Sequence, residues 1–268
     1  VGRNDPCHCG SGKKLKKRDP GFEVDTYRQA GYLPDALINA LVFLGWHPGT
    51  TEEVFSREEL VAKFSLERVS KSPAAFDEEK LRWFARQHMA RLDLDTLAEM
   101  TIPLIEQAYP QAAGRDRAWM LRLIGAAREE LVGLNECVPA VRFAFETGAM
   151  TPQAQIILST EQARPVLEAL RDRLKASDDL NAETASAMFK DLRAQFKQSH
   201  GWDGRSVMFP PRAALTGSTS GPHLSDVVIV LGRDESLRRV EAILAASNYT
   251  PDVNSYPQLC WVRDLSDG

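Results

Sequence analysis

The chain has 268 residues, of which 43% are apolar and 26% are charged, and its formal net charge at pH 7 is -4. This length is enough for one or two folded domains with a sizeable core. The sequence contains no apolar run long enough to cross a bilayer and no apolar core of a signal peptide, so we expect no membrane partner and a cytoplasmic location. The four cysteines, one close pair and two distant residues, do not form the framework of a small secreted domain.

The charge is unevenly distributed along the chain. Residues 1–18 contain six basic residues and one acidic residue, a net charge of +5, so the remaining residues carry -9. An acidic body argues against RNA binding over the whole surface, because affinity for phosphate comes from clustered lysine and arginine. A second basic excess, of +3, lies in residues 190–223. It comes from Lys190, Arg193, Lys197, Arg205 and Arg212 against Asp191 and Asp203. Any contact with RNA is therefore expected to be local.

The first feature in chain order is the stretch VGRNDPCHCGSGKKLKK. Cys7 and Cys9 could bind zinc as thiolates, but two thiolates fill only two of the four tetrahedral positions. The segment GSGKKLKK could instead wrap an anion, because glycines expose backbone N–H groups and the lysines add positive charge. The third interpretation of this stretch is a flexible basic tail.

From residue 21 onward the pattern is mainly helical. Between Leu33 and Leu44, apolar residues recur at the three- and four-residue spacing of one buried helix face. Ser56 and Glu59 fit a capping box, which predicts a short helix through Phe64. Further helices are expected in DEEKLRWFARQHM, DTLAEMTIPLIEQAY, RDRAWMLRLIGAAREELVGL, the segment that begins near Pro165, and a segment around Phe189 that ends before Gly201.

One later segment departs from the helical pattern. The run DVVIVLG, from Asp226 to Gly232, is short and β-branched, and taken alone it is typical of a buried strand. A single strand has no partner in a chain otherwise built of helices, so helix and strand are equally open for this run. The tail that follows has two prolines and no sustained period, and is expected to be extended or loosely docked.

The sequence contains no motif of an autonomous active site. The five histidines show no metal-binding helix spacing, and there is no GxSxG elbow, no GxGxxG after a strand and no complete P-loop. We therefore expect no catalytic residues in this chain and no required cofactor.

The opening residues VGRNDPCHCGSGKK closely resemble the start of the SEC-C motif, a small zinc-binding module. In that family the C-x-C pair is followed by a Cys-Cys or Cys-His pair, at positions where this sequence has Arg18 and Asp19. The resemblance therefore implies a possible zinc site at Cys7 and Cys9 from which half of the ligands are missing.

From residue 14 to about residue 245 the sequence resembles bacterial glutamyl-tRNA synthetase. Lys14, Leu15, Lys17 and Arg18 match the class I signature loop, and Lys16 stands where that loop has a serine. The similarity continues through FSREELVAKFSLERVSKSPAAFDEEKLRWF and ends in PPRAALTGSTSGPHL and LGRDESLRRVEAIL. The opening stretch is therefore interpreted as a seam between a SEC-C-like head and the signature loop.

The resemblance implies an all-α fold. It implies a SEC-C-like head that merges into a signature-loop remnant over residues 1–19, a helical stem-contact region over 20–92, an α-helical anticodon-binding domain over 93–247 and an irregular tail over 248–268. It favours a helix for DVVIVLG. Because the catalytic half of the family precedes the signature loop, the resemblance also implies that this chain alone does not aminoacylate tRNA.

Matched residue by residue, the anticodon-reading residues of the family fall on Arg212, Gly221, Pro222 and Leu224. Arg128 falls where some members have an arginine that reads the last anticodon base. Single-stranded bases are read by guanidinium hydrogen bonds, by stacking, and by backbone and apolar contacts. The alternatives are that Arg212 braces a helix terminus and that Arg128 pairs with a glutamate on a solvated helix.

Three functional hypotheses follow from these observations. The first is a tRNA-binding module derived from glutamyl-tRNA synthetase, which recognises the anticodon arm of tRNA-Glu without catalysis. The second is a zinc-binding adaptor of the SEC-C type that docks on a protein or ribosomal partner. The third is a split ligase completed by a catalytic half in trans, which predicts an exposed apolar face.

Overall fold

The computed structural model describes residues 23–70 and 76–246, and in these ranges the protein consists of 13 α-helices with short 3₁₀ turns and no strand. The α-helices in chain order are α1 Val24–Gln29, α2 Pro34–Val42, α3 Arg57–Lys63, α4 Glu78–Arg91, α5 Leu94–Ala108, α6 Arg117–Ala127, α7 Cys137–Val141, α8 Pro152–Leu158, α9 Ala163–Ala176, α10 Ala182–His200, α11 Gly204–Thr216, α12 Leu224–Leu231 and α13 Arg233–Ala245. The predicted all-α fold class is confirmed. In these ranges no helix has the length and apolar character needed to cross a membrane.

The described residues divide into two compact units. Unit 1 comprises residues 23–70, 76–104 and 128–137, and unit 2 comprises residues 105–127 and 138–246. Each unit has its own buried core, and each is described by itself below.

Unit 1 is centred on the packing of α2 against α4. The buried residues of two apolar clusters are Tyr27, Ala40, Val54, Leu81 and Phe84 in the first and Trp46, Phe55 and Leu60 in the second. Of the apolar residues whose spacing predicts α2, Leu33, Ala36 and Ala40 are buried, whereas Leu41 is 44% exposed, and the helix ends at Val42.

The predicted capping box is present at the start of α3. Ser56 Oγ accepts a hydrogen bond from the Glu59 N–H at 3.2 Å, and Glu59 Oε2 accepts one from the Ser56 N–H at 2.7 Å. These two bonds satisfy backbone donors that the first helical turn leaves without a partner. The short helix ends at Lys63, one residue before the predicted end at Phe64, which is its C-cap.

A buried asparagine, Asn39, connects three segments of unit 1. Its Nδ2 donates to the Glu53 carbonyl at 3.0 Å, and its Oδ1 accepts from the Phe55 N–H at 2.8 Å. His88 Nε2 lies 3.1 Å from the same Oδ1, so the ring tautomer that fits is the one with its proton on Nε2. Burial, and secondarily the charge of Arg91, lower the pKa of His88. The ring is therefore neutral near pH 7, the form that this buried position favours.

The helix predicted over RDRAWMLRLIGAAREELVGL is shorter than predicted. α6 ends at Ala127, and Arg128–Glu130 form a 3₁₀ turn. Beyond that turn, Leu131 is buried, and a Cβ added to Gly133 would lie only 2.4 Å from the Ala30 carbonyl oxygen. The prediction of one continuous helix is wrong because packing against the segment after α1 overrides the local apolar period.

Helix α12 packs against four helices of unit 2, α6, α10, α11 and α13. Its buried residues are Leu224, Val227, Val228 and Val230. A helix contacted by four others is apolar on most sides. Residues 227–231 are therefore an unbroken apolar run, which explains why DVVIVLG is also typical of a strand. The strand interpretation of Asp226 to Gly232 is wrong, and the helix that the family resemblance favours is confirmed.

A buried arginine on α13 holds the end of α11. Arg239 is 9% exposed, and its Nη1 donates to the Leu215 carbonyl at 2.6 Å and to the Phe143 carbonyl at 2.8 Å. Leu215 lies in the last turn of α11, where carbonyls have no donor within the helix. Arg239 Nε donates to Glu235 at 2.7 Å. Hydrogen bonds from Arg238 and then from Arg239 lower the pKa of the Glu235 carboxyl to about 2.

Gly217 ends α11 in a left-handed conformation, with a φ of 69°. Its N–H donates to the Ala213 carbonyl at 2.9 Å, and its own carbonyl accepts from the Thr151 N–H at 2.8 Å. A Cβ added here would lie 2.1 Å from the Ala149 carbonyl oxygen. Both the backbone angle and the lack of space therefore require glycine at this position.

We predict that Gly217→Ala destabilises the protein more than Gly201→Ala. Both substitutions force alanine into the left-handed region, which costs about 1–2 kcal/mol. Nothing lies within 4 Å of a Cβ at Gly201, whereas the Ala149 carbonyl must move to admit one at Gly217. That displacement should add about 1–3 kcal/mol to the loss. Urea unfolding followed by circular dichroism measures both losses, and equal values would contradict the close approach at Gly217.

We also predict that Glu235 contributes stability that depends on pH. Its pKa is lowered from an ordinary value of 4.5 to about 2 in the folded protein. The contribution is therefore fully present above about pH 4.5 and is lost as the pH falls towards 2. Glu235→Gln should lower the free energy of unfolding by about 1–3 kcal/mol at pH 7, because hydrogen bonds to a charged group are replaced by weaker ones.

Urea unfolding of the wild-type protein and Glu235→Gln at several pH values between 7 and 2 measures this contribution. The difference between the two proteins should shrink as the pH falls below about 4.5. Glu168→Gln is a matched control, because Glu168 makes an exposed ion pair with Arg164 and should contribute less than about 1 kcal/mol. A Glu235 difference that stays constant across this range would show that the carboxylate charge is not what stabilises the fold.

Candidate nucleic-acid interface

Four of the five residues predicted to read the anticodon lie together in unit 2. Arg212 is on α11, Gly221 and Pro222 are in the loop that follows, and Leu224 is the first residue of α12. Arg212 Nη1 donates to the Gly221 carbonyl at 2.9 Å and to the Pro222 carbonyl at 2.7 Å. The guanidinium therefore connects the end of one helix to the start of the next, across the loop of residues 217–223.

The side chains of these four residues differ in exposure. Leu224 is only 5% exposed and Pro222 is also buried, while Arg212 is half-buried. The exposed side chains of the loop are those of Ser220 and His223. A ligand on this surface would meet those two side chains and the backbone near Gly221. Matching to the family does not single out Ser220 and His223; the signal for them is a polar GSTSGPH segment between two helices.

The loop is shaped by its own hydroxyl groups and by a glycine. Thr216 Oγ1 donates to the Arg212 carbonyl at 2.8 Å and accepts from the Ser218 N–H at 3.2 Å. Ser218 Oγ accepts from the Ser220 N–H, also at 3.2 Å. Gly221 has a φ of 123°, which is in the region that favours glycine. The loop therefore has a defined conformation before any ligand binds.

Arg128 lies in unit 1, apart in the chain from the other four residues. Its Nη2 donates to the carbonyls of Ala90 and Leu92, at the C-terminal end of α4. Carbonyls at a helix C-terminus have no donor within the helix, so the guanidinium satisfies them. The alternative of a glutamate-paired arginine on a solvated helix is wrong, because Arg128 begins a 3₁₀ turn and its guanidinium contacts carbonyl oxygens. Its role as a reader of the last anticodon base stays a prediction.

The basic excess predicted in residues 190–223 lies on two consecutive helices of unit 2. Lys190, Arg193 and Lys197 are exposed on α10, and Arg205 is exposed in the first turn of α11. Arg212 is on the last part of α11, beside the loop. The predicted local excess of positive charge is therefore at the surface.

The remaining predicted site residues lie outside the described residues. They are Cys7 and Cys9, predicted for zinc, and Lys14, Leu15, Lys17 and Arg18 of the signature-loop remnant. Within residues 23–70 and 76–246, no group of three or more histidine, cysteine, aspartate or glutamate side chains could hold a metal ion.

Two family models match the chain. The model of the anticodon binding domain matches residues 96–244, and the model of the catalytic domain of class I tRNA synthetases (E and Q) matches residues 8–83. The first match covers more than half of the chain, and it includes α11, the loop of residues 217–223 and α12.

Curated relatives match most of the chain. A glutamate–tRNA ligase from Heliobacterium modesticaldum is 35% identical over 85% of this chain and 46% of its own length. One from Carboxydothermus hydrogenoformans is 35% identical over 85% of this chain and 47% of its own length. The chain thus spans about half the length of the curated relatives that it matches.

Solved structures share the fold. A glutamate tRNA ligase from Elizabethkingia meningosepticum, in complex with its amino acid, superposes with a TM-score of 0.67 at 24% identity, over 88% of this chain and 49% of that one. The glutamate-tRNA synthetase of Elizabethkingia anophelis superposes with a TM-score of 0.63, also at 24% identity, over 90% of this chain and 50% of that one. The chain therefore belongs to the family of the anticodon binding domain, and the relatives that share its sequence over this region are glutamate–tRNA ligases.

Proposed function

We propose that unit 2 binds the anticodon arm of tRNA-Glu at the junction of α11, the loop of residues 217–223 and α12. The observation that carries this proposal is the pair of hydrogen bonds from Arg212 to the carbonyls of Gly221 and Pro222. These bonds join Arg212, Gly221 and Pro222, three of the residues that the family resemblance implies for base recognition. The family and the relatives support tRNA as the ligand. The proposal covers recognition and not the ligase reaction.

Recognition at this junction would depend on a preformed loop. Bases of a single-stranded loop are read on their edges and faces once they are unstacked. The backbone near Gly221 and the exposed Ser220 and His223 offer hydrogen-bonding groups to such bases, while the buried Pro222 and Leu224 support the loop from inside. Because hydroxyl bonds and Arg212 already order the loop, little conformational entropy is lost on binding.

We predict that Arg212→Ala weakens binding of a tRNA-Glu transcript by about 1–3 kcal/mol, or about 5- to 150-fold. Removal of the guanidinium breaks its contact with the Gly221 and Pro222 carbonyls. The loss should fall on the cognate transcript and leave a transcript with a changed anticodon nearly unaffected. Filter binding or fluorescence anisotropy with both transcripts measures the ratio. Arg164→Ala is a matched control, because Arg164 is an exposed arginine of the same unit and pairs with Glu168.

Gly221→Ala tests the loop without removing any charge. An alanine there meets an unfavourable backbone angle, since φ is 123°. It should reduce the preference for the cognate anticodon in the same way as Arg212→Ala. If both variants fold, as judged by circular dichroism, and both keep wild-type affinity for tRNA-Glu, the junction is not the recognition surface.

We also propose, as a second function, that unit 1 docks on the catalytic half of a glutamate–tRNA ligase. The supporting observation is that unit 1 exposes apolar side chains close together in sequence, with Val61 76% exposed, Leu66 77% exposed and Phe64 43% exposed. A cluster of exposed apolar residues is typical of a protein–protein contact. The catalytic-domain model matches residues 8–83, which include this segment, and the curated relatives are about twice as long as the chain.

We predict that the double variant Val61→Ser, Leu66→Ser keeps nearly wild-type stability but binds a separately expressed catalytic half of a related ligase more weakly. Stability should hold because both side chains are mostly in solvent. Leu60→Ala, at a buried neighbouring position, should instead lose about 2–5 kcal/mol of unfolding free energy. Urea unfolding and isothermal titration calorimetry measure the two effects. Unchanged affinity for the catalytic half would rule out docking through this segment.

A further inference from the structure

Three basic residues form a row along one exposed face of α10. Lys190, Arg193 and Lys197 are separated by three and four residues, which is the spacing of neighbours on a helix surface. Beside these cations the face exposes the small residues Ser186, Ala187 and Ala194, and Glu183 lies on it two turns before Lys190. Asp191 is the one acidic residue between Ser186 and Lys197, and helical periodicity puts it on the flank of the row.

The row continues onto α11. A Cβ added at Gly204, the first residue of α11, would lie 3.0 Å from Cζ, Nε and Nη2 of Arg193, so the guanidinium of Arg193 covers this glycine. The next residue, Arg205, is exposed. Arg205 and Arg212 are seven residues apart, so they lie on the same face of α11, about 10 Å apart along its axis. The charged surface therefore extends from the middle of α10 to the arginine that braces the candidate loop.

Within the described residues, Lys190, Arg193, Lys197 and Arg205 have no ion-pair partner. Three cations of α9 are paired: Arg164 with Glu168 at 3.1 Å, Arg171 with Asp172 at 2.8 Å, and Lys175 with Glu241 at 2.7 Å. A fourth, Arg173, donates instead to the Gln195 side chain of α10 at 2.5 Å. Asp203 is near Arg205, but its carboxylate caps α11 by accepting from the Ser206 N–H at 2.7 Å. In a chain whose residues after position 18 carry a net charge of -9, this row of four cations is opposite in sign to the overall charge.

We infer that the basic row, defined as Lys190, Arg193, Lys197 and Arg205, binds the phosphate backbone of the RNA whose anticodon loop meets residues 217–223. The inference rests on the proposed function and extends it to a second surface. A row of like charges is repulsive by itself, and a polyanion laid along it relieves that repulsion. Contacts of lysine and arginine with phosphates carry no sequence information, so this surface would set the position of the RNA and not its sequence preference.

The basic row and the loop of residues 217–223 should therefore affect different properties of RNA binding. Each phosphate contact releases condensed counterions. It therefore makes the slope of log K against log salt steeper by about 0.7 for a single strand and about 0.9 for a duplex. Loss of three contacts should lower the slope of log K against log salt by about 2 to 3. The preference for the cognate anticodon should remain, because the row contributes equally to every sequence.

The test compares two triple variants that remove the same charge. The first is Lys190→Ala, Arg193→Ala, Lys197→Ala on α10, and the control is Arg164→Ala, Arg171→Ala, Lys175→Ala on α9. Binding of the full chain to a tRNA-Glu transcript, and to the same transcript with a changed anticodon, is measured between low and physiological salt. In the α10 variant, we expect the slope of log K against log salt to fall by about 2 to 3. The affinity for both transcripts should fall by the same factor. The α9 variant should keep the wild-type slope.

The outcomes separate this inference from the proposed function. A wild-type slope in the α10 variant would show that its three cations contact no phosphate, and it overturns the inference. An equal fall of the slope in both triple variants would show only an effect of net charge, and it also overturns the inference. A wild-type protein that binds both transcripts equally overturns anticodon recognition, and a fall in slope confined to the α10 variant would then still establish the basic row as an RNA surface. Because all three α10 positions are exposed, the variant should unfold at the wild-type temperature, which thermal denaturation checks.

Discussion

The geometry of unit 2 depends on the hydrogen bonds of one buried guanidinium, that of Arg239. A buried charge is tolerated only when its hydrogen-bonding groups are satisfied, and here one nitrogen contacts the carbonyls of Phe143 and Leu215 while another contacts Glu235. The contact with Leu215 determines where α11 can end, because that carbonyl has no donor within its own helix. Two residues later, Gly217 lies against Ala149 and turns the chain into the loop.

The candidate interface follows from that constraint. Once the end of α11 is held, Arg212 is in reach of the Gly221 and Pro222 carbonyls, and the hydroxyls of Thr216 and Ser218 complete the loop. The loop then leads into α12, which four helices surround. A recognition loop carried on such a rigid support needs little reordering when a ligand binds.

Local signals in the sequence predict much of this architecture. The capping box of Ser56 and Glu59 depends on two residues in one turn, and it is present as predicted. The glycine that ends α10 and the apolar spacing of α2 also depend only on residues that are close together in the chain. Features that depend on distant partners are not predictable in this way. The end of α6 depends on packing at Gly133. The helical period of DVVIVLG is obscured because residues 227–231 are all apolar, in a helix that four other helices contact.

The candidate site shows the same division. Matching to the family brings Arg212, Gly221, Pro222 and Leu224 into one short segment, but it does not reveal that Pro222 and Leu224 are buried or that Arg212 binds the loop backbone. The contacts of Arg128 with Ala90 and Leu92 join positions more than thirty residues apart, and no spacing rule predicts them. The basic row is visible in the sequence as a charge excess, whereas its continuity across Gly204 depends on how α10 and α11 pack.

The most direct test of the central claim is amide hydrogen exchange of the full chain, followed by mass spectrometry, with and without a tRNA-Glu transcript. If the junction of α11, the loop and α12 binds the anticodon, peptides that cover residues 216–226 should exchange more slowly with the cognate transcript, and this protection should disappear when the anticodon is changed. Exchange in that segment that is unaffected by the cognate transcript, or that slows equally with both transcripts, would contradict the account.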